Sequence, residues 1–293
     1  MNVVGIISEF NPLHNGHQYL MKQAKELTEA QYVILVMSGN YVQRGLPAFL
    51  EKDFRVKAAL NAGADMVIEL PIPFATASAE YFAAAGVSIL HQLGFVTHLA
   101  FGSEEGHIRE LLKVSRLLES EETEEYKSLL KELLASGMVY AKAREEALKI
   151  ITNTDLHSIL SKPNNALGLS YLKAIHDQQS GITPVTVKRI GKDYDDTTLS
   201  RTGFSSASGI RAQIAKGKID AVLYSIPEST REDFRQLMDG HYDLDEDAFS
   251  LPLLTKLQEA DKETLLSYFD VTPALADKLI KQRHEQYLYS NLA

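Results

Sequence analysis

The sequence predicts an α/β protein, a parallel sheet with helices on both faces followed by a smaller helical C-terminal domain. Strand-length apolar runs alternate with amphipathic helical stretches over the first hundred residues. Those runs are nearly continuous in apolar residues, as strands buried on both sides require. From Lys218 to Ala293 the chain reads instead as helices separated by acidic loops.

In order, Val3 to Ile7 is a strand that breaks at Asn11-Pro12 and leads into a helix from about Gln18 to Thr28. Strands follow at Tyr32–Met37, Met66–Leu70 and His98–Phe101, with helices at Glu51–Ala62 and Ala77–Leu93 between them. From Gly106 to Ile151 the chain is helical and charged, and its acidic stretch Glu119 to Glu125 reads as a solvated helix end or loop. Ser161-Lys162-Pro163-Asn164-Asn165 precedes an amphipathic run, Leu167 to Ile175, with asparagine as a good N-cap. Thr183 to Ile190 is a further strand, followed by a polar loop with Lys192, Asp193, Asp195 and Asp196. Phe204-Ser205-Ser206-Ala207-Ser208-Gly209-Ile210-Arg211 then opens a helix toward Lys216. Past the acidic loop Asp243-Leu244-Asp245-Glu246-Asp247, helical runs at Leu251–Gln258, Glu263–Phe269 and Pro273–Arg283 complete the chain. Lys278, Lys281, Arg283 and His284 make that end locally basic, a pattern that a solvated helix face also gives. The expected division is residues 1–217, with a helical insertion at about 106–160, and residues 218–293.

With 45% apolar residues, 293 residues suffice for a sizeable core. Zero cysteines exclude disulfides, a thiolate nucleophile and a zinc-cysteine site, which is compatible with a cytoplasmic location. The N-terminus enters strand pattern at once, and no apolar run is long enough to span a membrane, so no membrane partner is expected. A net charge of −9 disfavours nucleic acid as a general partner, so an RNA surface would be a local basic patch on an acidic body.

Ligands of parallel sheets sit beyond the carboxyl ends of the strands, where strand order reverses. The polar clusters fall there: Ser8 to His17 after the first strand, Ser38-Gly39-Asn40 with Gln43-Arg44-Gly45 after the second, Glu69-Leu70-Pro71 after the third and Gly102-Ser103-Glu104 after the fourth. Each also reads as an ordinary βα turn, with Arg44 pairing Glu51 or Asp53 and Glu69 capping a neighbouring helix. At the first cluster, free amides and the helix dipole are suited to a phosphate. His14 and His17 stand on that lip as donors to phosphoryl oxygens, with Gly16 allowing a base or phosphate to approach the backbone. The chemistry suggested is nucleotidyl transfer.

His14-Asn15-Gly16-His17 resembles the signature of the HIGH-motif nucleotidylyltransferase superfamily. In that superfamily a serine-rich turn ending in an arginine is the second motif, and Ser205, Ser206, Ser208 and Arg211 fit it, with Gly209 as a departure. More closely, Glu9 to His17, Val36 to Asn40 with Gln43 to Gly45, Val67 to Pro71, Phe101 to Glu104, Ser161 to Asn165 and Ser205 to Arg211 resemble the tRNA(Met) cytidine acetate ligase family. This likeness implies a Rossmann-like fold of nucleotidylyltransferase type. It also implies activation of acetate with ATP to acetyl-adenylate and pyrophosphate, then acetylation of N4 of the wobble cytidine in elongator tRNA(Met), with no DNA partner. By the same resemblance Ile7, Ser8, Glu9, Phe10, Asn11, Pro12, Leu13, His14, Asn15, Gly16, His17 and Leu20 form the ATP site, completed by Gly102, Asn164 and Arg189. Ser206 and Ser208 join it at the distal phosphates. His14, His17 and Arg211 act on the α-phosphate and departing pyrophosphate, with Mg²⁺ held through the ATP phosphates and not by protein side chains.

Family members commonly continue, past the point where this chain stops, with a basic aromatic-containing segment of the form Lys-x-Lys-Arg-Tyr-Thr, and no such string occurs here. The chain is then expected to be a trimmed or short form in which adenylate formation survives. Two other readings stand beside this one. A phosphomonoester could be the attacking group of a small-molecule adenylyl- or cytidylyltransferase, which calls for a basic acceptor pocket. A non-catalytic nucleotide- or RNA-binding module is the other, against which the intact His14, His17 and Arg211 argue.

Overall fold

The computed structural model describes residues 1–43, 45–190, 204–239, 246–269, 271–285 and 288. Arg44, the polar loop with Lys192, Asp193, Asp195 and Asp196, and Asp243, Leu244 and Asp245 lie outside the described residues.

Five strands, β1 (Val3–Ser8), β2 (Tyr32–Ser38), β3 (Met66–Leu70), β4 (His98–Ser103) and β5 (Thr183–Lys188), form one parallel sheet in the order β3-β2-β1-β4-β5. The order reverses between β1 and β4, which pair directly, Val4 opposite His98 and Gly5 opposite Leu99. The first two strands and β4 run slightly beyond their apolar runs because Ser8, Ser38 and Ser103 still pair in the ladder, whereas β5 stops at Lys188, short of Ile190.

The helices before β5 are α1 (Asn15–Thr28), α2 (Lys52–Asn61), α3 (Ile72–Ala75), α4 (Ala79–Gln92), α5 (Ile108–Leu118), α6 (Glu124–Ala135), α7 (Tyr140–Thr152), α8 (His157–Leu160) and α9 (Pro163–Asp177). After it come α10 (Ala207–Ile214), α11 (Ile219–Val222), α12 (Glu228–Asp239), α13 (Ser250–Glu259), α14 (Lys262–Ser267) and α15 (Pro273–Gln282). The acidic stretch is a 3₁₀ turn, Glu119–Glu122, followed by Thr123 capping α6. Glu124 and Glu125 then fall in the first turn of α6, where the helix dipole favours them. Asparagine is not the cap of α9: the helix begins at Pro163, whose missing N–H costs nothing there, and Lys162 holds the cap position.

Alternate residues of each strand feed opposite cores. Val3 and Ile7 of β1, Ile34 and Val36 of β2 and Leu99 and Phe101 of β4 pack with Phe82, Val87 and Leu90 of α4 and Leu169 and Leu172 of α9. Val4 and Ile6, Val33, Leu35 and Met37, and Ala100 face the other way, onto Met21 and Ala24 of α1 and Ala58 and Ala59 of α2. Close packing of α4 on β1 depends on glycine, since a Cβ at Gly86 would lie 2.6 Å from Ile7 Cδ1. A third cluster joins Leu50 and Ile210 to Val222, Ile226, Phe234 and Met238, with Phe54 of α2 against it. The α10–α12 segment is thereby held against α2 on the carboxyl side of β1. Helices α13–α15 have their own small cluster around Leu257, Leu265 and Ala276.

Candidate active site

The site is built from the loop after β1. His14 ends that loop in extended backbone and is the N-cap of α1: its Nδ1 accepts from Gly16 N at 3.1 Å. His17 completes a capping box, its Nδ1 accepting from His14 N at 3.3 Å. This reciprocal cap explains why α1 begins at Asn15, three residues before the apolar periodicity. The two rings stack with centroids 3.7 Å apart, and Phe10 lies 4.6 Å from His17. Since each Nδ1 is an acceptor, each imidazole carries its proton on Nε2 and is a neutral donor. Burial and the nearby Arg189 charge lower the pKa of His14 to about 3. Burial, then His14 and Arg189, hold His17 well below the usual histidine value.

One expectation about this lip, that of free amides, is corrected. His14 is buried. The amides of Gly16, His17 and Gln18 are engaged by the side chain or carbonyl of His14, so the helix start does not offer a row of free N–H groups. Gly16 lines the cleft, and its missing side chain also leaves room for the neighbouring ring, since a Cβ there would lie 2.9 Å from His14 Cε1.

The other motif residues converge on the same place. Arg211 Nη1 donates to Asn11 O at 2.6 Å, which ties the serine-rich turn to the first loop. Ser206 caps α10 by accepting from Gly209 N at 3.0 Å and lies 3.1 Å from Ser208 Oγ. Gly209 is buried there, so the departure from the pattern fits the helix start. Ser205 receives a bond from Ser225 Oγ at 3.0 Å and lines the cleft with His14, His17, Leu20, Gly102 and Arg189. Beside it Arg189 Nη1 donates to Asn164 Oδ1 at 3.3 Å, and its side chain runs past Gly102. Asn164 is set by Glu104, whose carboxylate accepts from Asn164 Nδ2 at 2.6 Å and from the amides of Asn164 and Asn165 at 3.3 and 2.9 Å. An external carboxylate thus does the capping that the sequence assigned to asparagine.

The remaining predicted positions divide by side-chain direction. Ile7, Phe10 and Leu13 point into the two cores, so a ligand meets them only through their backbone. Phe10 holds φ +45°, a left-handed conformation uncommon for an aromatic residue and a local strain at the bend of the loop. Ser8 is buried, and its hydroxyl has no partner among the described residues. Glu9 Oε1 accepts from Gln43 N and Asn11 Oδ1 from Phe49 N, both at 2.6 Å, so these side chains tether the neighbouring loop. Pro12 is buried between them, and Asn15 Nδ2 reaches Tyr224 O at 2.8 Å. Glu69 pairs with Lys52 at 2.9 Å, beside the start of α2 and not in the cleft. At the other end of the chain, Arg283 Nη1 donates to Leu257 O and Ala260 O, so it braces the last helices.

Sequence reasoning missed Arg55. It is fully buried and donates to Leu50 O at 3.0 Å, Glu9 O at 2.7 Å, Ser38 O at 3.0 Å and also to Gly39 O. One guanidinium thereby fixes the loops after β1 and β2 and the entry to α2. Its sequence context, a charged position in an amphipathic helix, gives no sign of this.

The model of the HIGH Nucleotidyl Transferase family matches residues 1–293. The tRNA(Met) cytidine acetate ligase of Thermoanaerobacter sp. (strain X514) is 43% identical over 290 residues, covering 97% of this chain and 71% of its own. That of Acetivibrio thermocellus is 40% identical over 286 residues, covering 95% and 68%. Among solved structures, Thermotoga maritima TmcAL in its apo form superposes with TM-score 0.89 at 33% identity, over 100% of this chain and 70% of that one. The same protein bound with alpha-thio ATP gives TM-score 0.86 at 31% identity, over 100% and 69%. The chain belongs to the tRNA(Met) cytidine acetate ligase family, within the HIGH nucleotidyl transferases.

Proposed function

We infer that the chain is an ATP-dependent ligase that activates acetate and passes the acetyl group to N4 of the wobble cytidine of elongator tRNA(Met). The observation that carries the reading is the stacked pair of neutral Nε2–H imidazoles facing a cleft edged by Arg189 and the Ser205–Arg211 turn. Donors fixed before the reaction and largely shielded from water stabilise charge that develops on phosphoryl oxygens. The family membership and the ATP-analogue complex of the Thermotoga relative support ATP as the nucleotide.

In the proposed first step an acetate oxygen attacks the α-phosphorus, the bond to the bridging oxygen breaks, and pyrophosphate leaves with its electron pair. His14 and His17 donate from Nε2 to the α-phosphate and the leaving group, while Arg189 and Arg211 offset their negative charge. The buried Ser8 hydroxyl, without a partner among the described residues, supports a polar ligand beside the end of β1. In the second step N4 of cytidine attacks the acyl carbon, AMP leaves, and N4 loses a proton. Mg²⁺ would be held through the nucleotide's phosphates, where it neutralises charge.

The test is acetate-dependent exchange of labelled pyrophosphate into ATP, with and without tRNA. His14→Ala and His17→Ala are each expected to slow exchange by about 10²–10³-fold, the usual effect of removing a fixed oxyanion donor. Exchange that ignores acetate points to a phosphomonoester-using transferase, and no exchange at all leaves a binding module.

A further inference from the structure

A second groove, with a volume of about 560 Å³, runs along the outer face of α1. Asn15, Gln18, Lys22 and Lys25 line it at spacings of three, four and three residues, one stripe of the helix. It shares two walls with the nucleotide cleft, Tyr19 and Phe204, whose rings lie 5.3 Å apart. Its charge is unlike that of the molecule. The described residues that line it include two lysines and no carboxylate, on a chain of net charge −9. Lys22 touches Glu26 at 3.9 Å, but both side chains are largely exposed, and such a pair exchanges readily for a phosphate.

We propose that this groove seats the RNA strand carrying the acceptor base, with phosphates on Lys22 and Lys25 and the base passing the Tyr19–Phe204 pair into the cleft. The proposal rests on RNA being the acyl acceptor, as inferred above. The ten helical steps from Asn15 to Lys25 rise about 15 Å, a length that spans more than one nucleotide of a bound strand. An aromatic pair at the junction suits a flat base, since every base presents a face for stacking. The net charge requires any RNA surface to be local, and this one adjoins the site where the acyl group is made.

The test is fluorescence anisotropy of a labelled anticodon stem–loop of elongator tRNA(Met), titrated with the full chain at several salt concentrations. Lys22→Glu with Lys25→Glu is compared with Lys127→Glu and Lys131→Glu on α6, which changes net charge equally. The groove variant is expected to bind at least tenfold more weakly and to lose about 1.4 from the slope of log K against log salt, about 0.7 per phosphate. The α6 variant is expected to stay within twofold of wild type, and acetate-dependent exchange is expected to be unchanged in both. Equal weakening of both variants, or none in the groove variant, overturns the proposal. If the wild-type chain exchanges pyrophosphate but does not bind the stem–loop, the groove assignment fails while the acetate-activating reading stands. Absent exchange with groove-dependent RNA binding sinks the activity reading and leaves the groove.

Discussion

At the residue scale, the histidine pair couples the site to the stability of the fold. The folded protein keeps His14 neutral down to about pH 3, whereas the unfolded chain takes up a proton near 6.5. Its contribution to stability is therefore fully present above pH 6.5 and is lost as the pH falls from there toward 3. The slope is about 1.4 kcal/mol per pH unit for this one group, and His17 adds to it in the same direction. Urea denaturation at pH 7, 6, 5 and 4 is expected to show that decline, with a shallower slope in a His14→Gln variant. Between pH 6 and 8 pyrophosphate exchange is expected to show no histidine titration, because both rings are already neutral. The letters His14, Asn15, Gly16 and His17 make this pair legible, since few other chemistries place two imidazoles at a helix start. Their burial is not legible, because Gly102, Arg189 and Phe204, which close around them, arrive from elsewhere in the chain.

At the element scale, α9 carries Asn164 to Arg189, and Glu104 at the end of β4 holds α9 in place. Glu104→Ala removes the acceptor for two first-turn amides and the Asn164 side chain, so it is expected to cost about 1–2 kcal/mol, the usual worth of a helix cap. A thermal melt checks the stability, and because Arg189 then loses its ordered neighbour, the KM for ATP in the exchange assay is expected to rise with it. The strands were readable because the first four are largely apolar runs and the fifth is a β-type run of valine and threonine, and the start of every one follows from that pattern. The short α3 was not, since Pro71-Ile72-Pro73 reads as a break while the chain makes a single turn of helix there. Nor was the cap of α9, because a carboxylate about sixty residues earlier has no local signature.

At the scale of the whole molecule, the apolar cluster of Leu50, Ile210, Val222, Ile226, Phe234 and Met238 spans the division expected near residue 217. Cutting the chain after Gly217 strips four of these six residues. At about 1.5–3 kcal/mol for each fully buried side chain, that loss rivals the 5–15 kcal/mol of an entire domain. A fragment of residues 1–217 is therefore expected to melt without cooperativity, and residues 1–239 to melt cooperatively, as calorimetry can check. The parallel sheet and the polar clusters at the carboxyl ends of its strands were legible because a parallel α/β sheet leaves few topologies open. The cluster was not, since α10 to α12 look like any amphipathic helices until Leu50 and Phe54 are seen between them. Arg55 adds a mechanical corollary. With Glu9, Ser38 and Gly39 hanging from a single planar cation, the first and second strand tips cannot drift separately, so any nucleotide that settles one of them settles both.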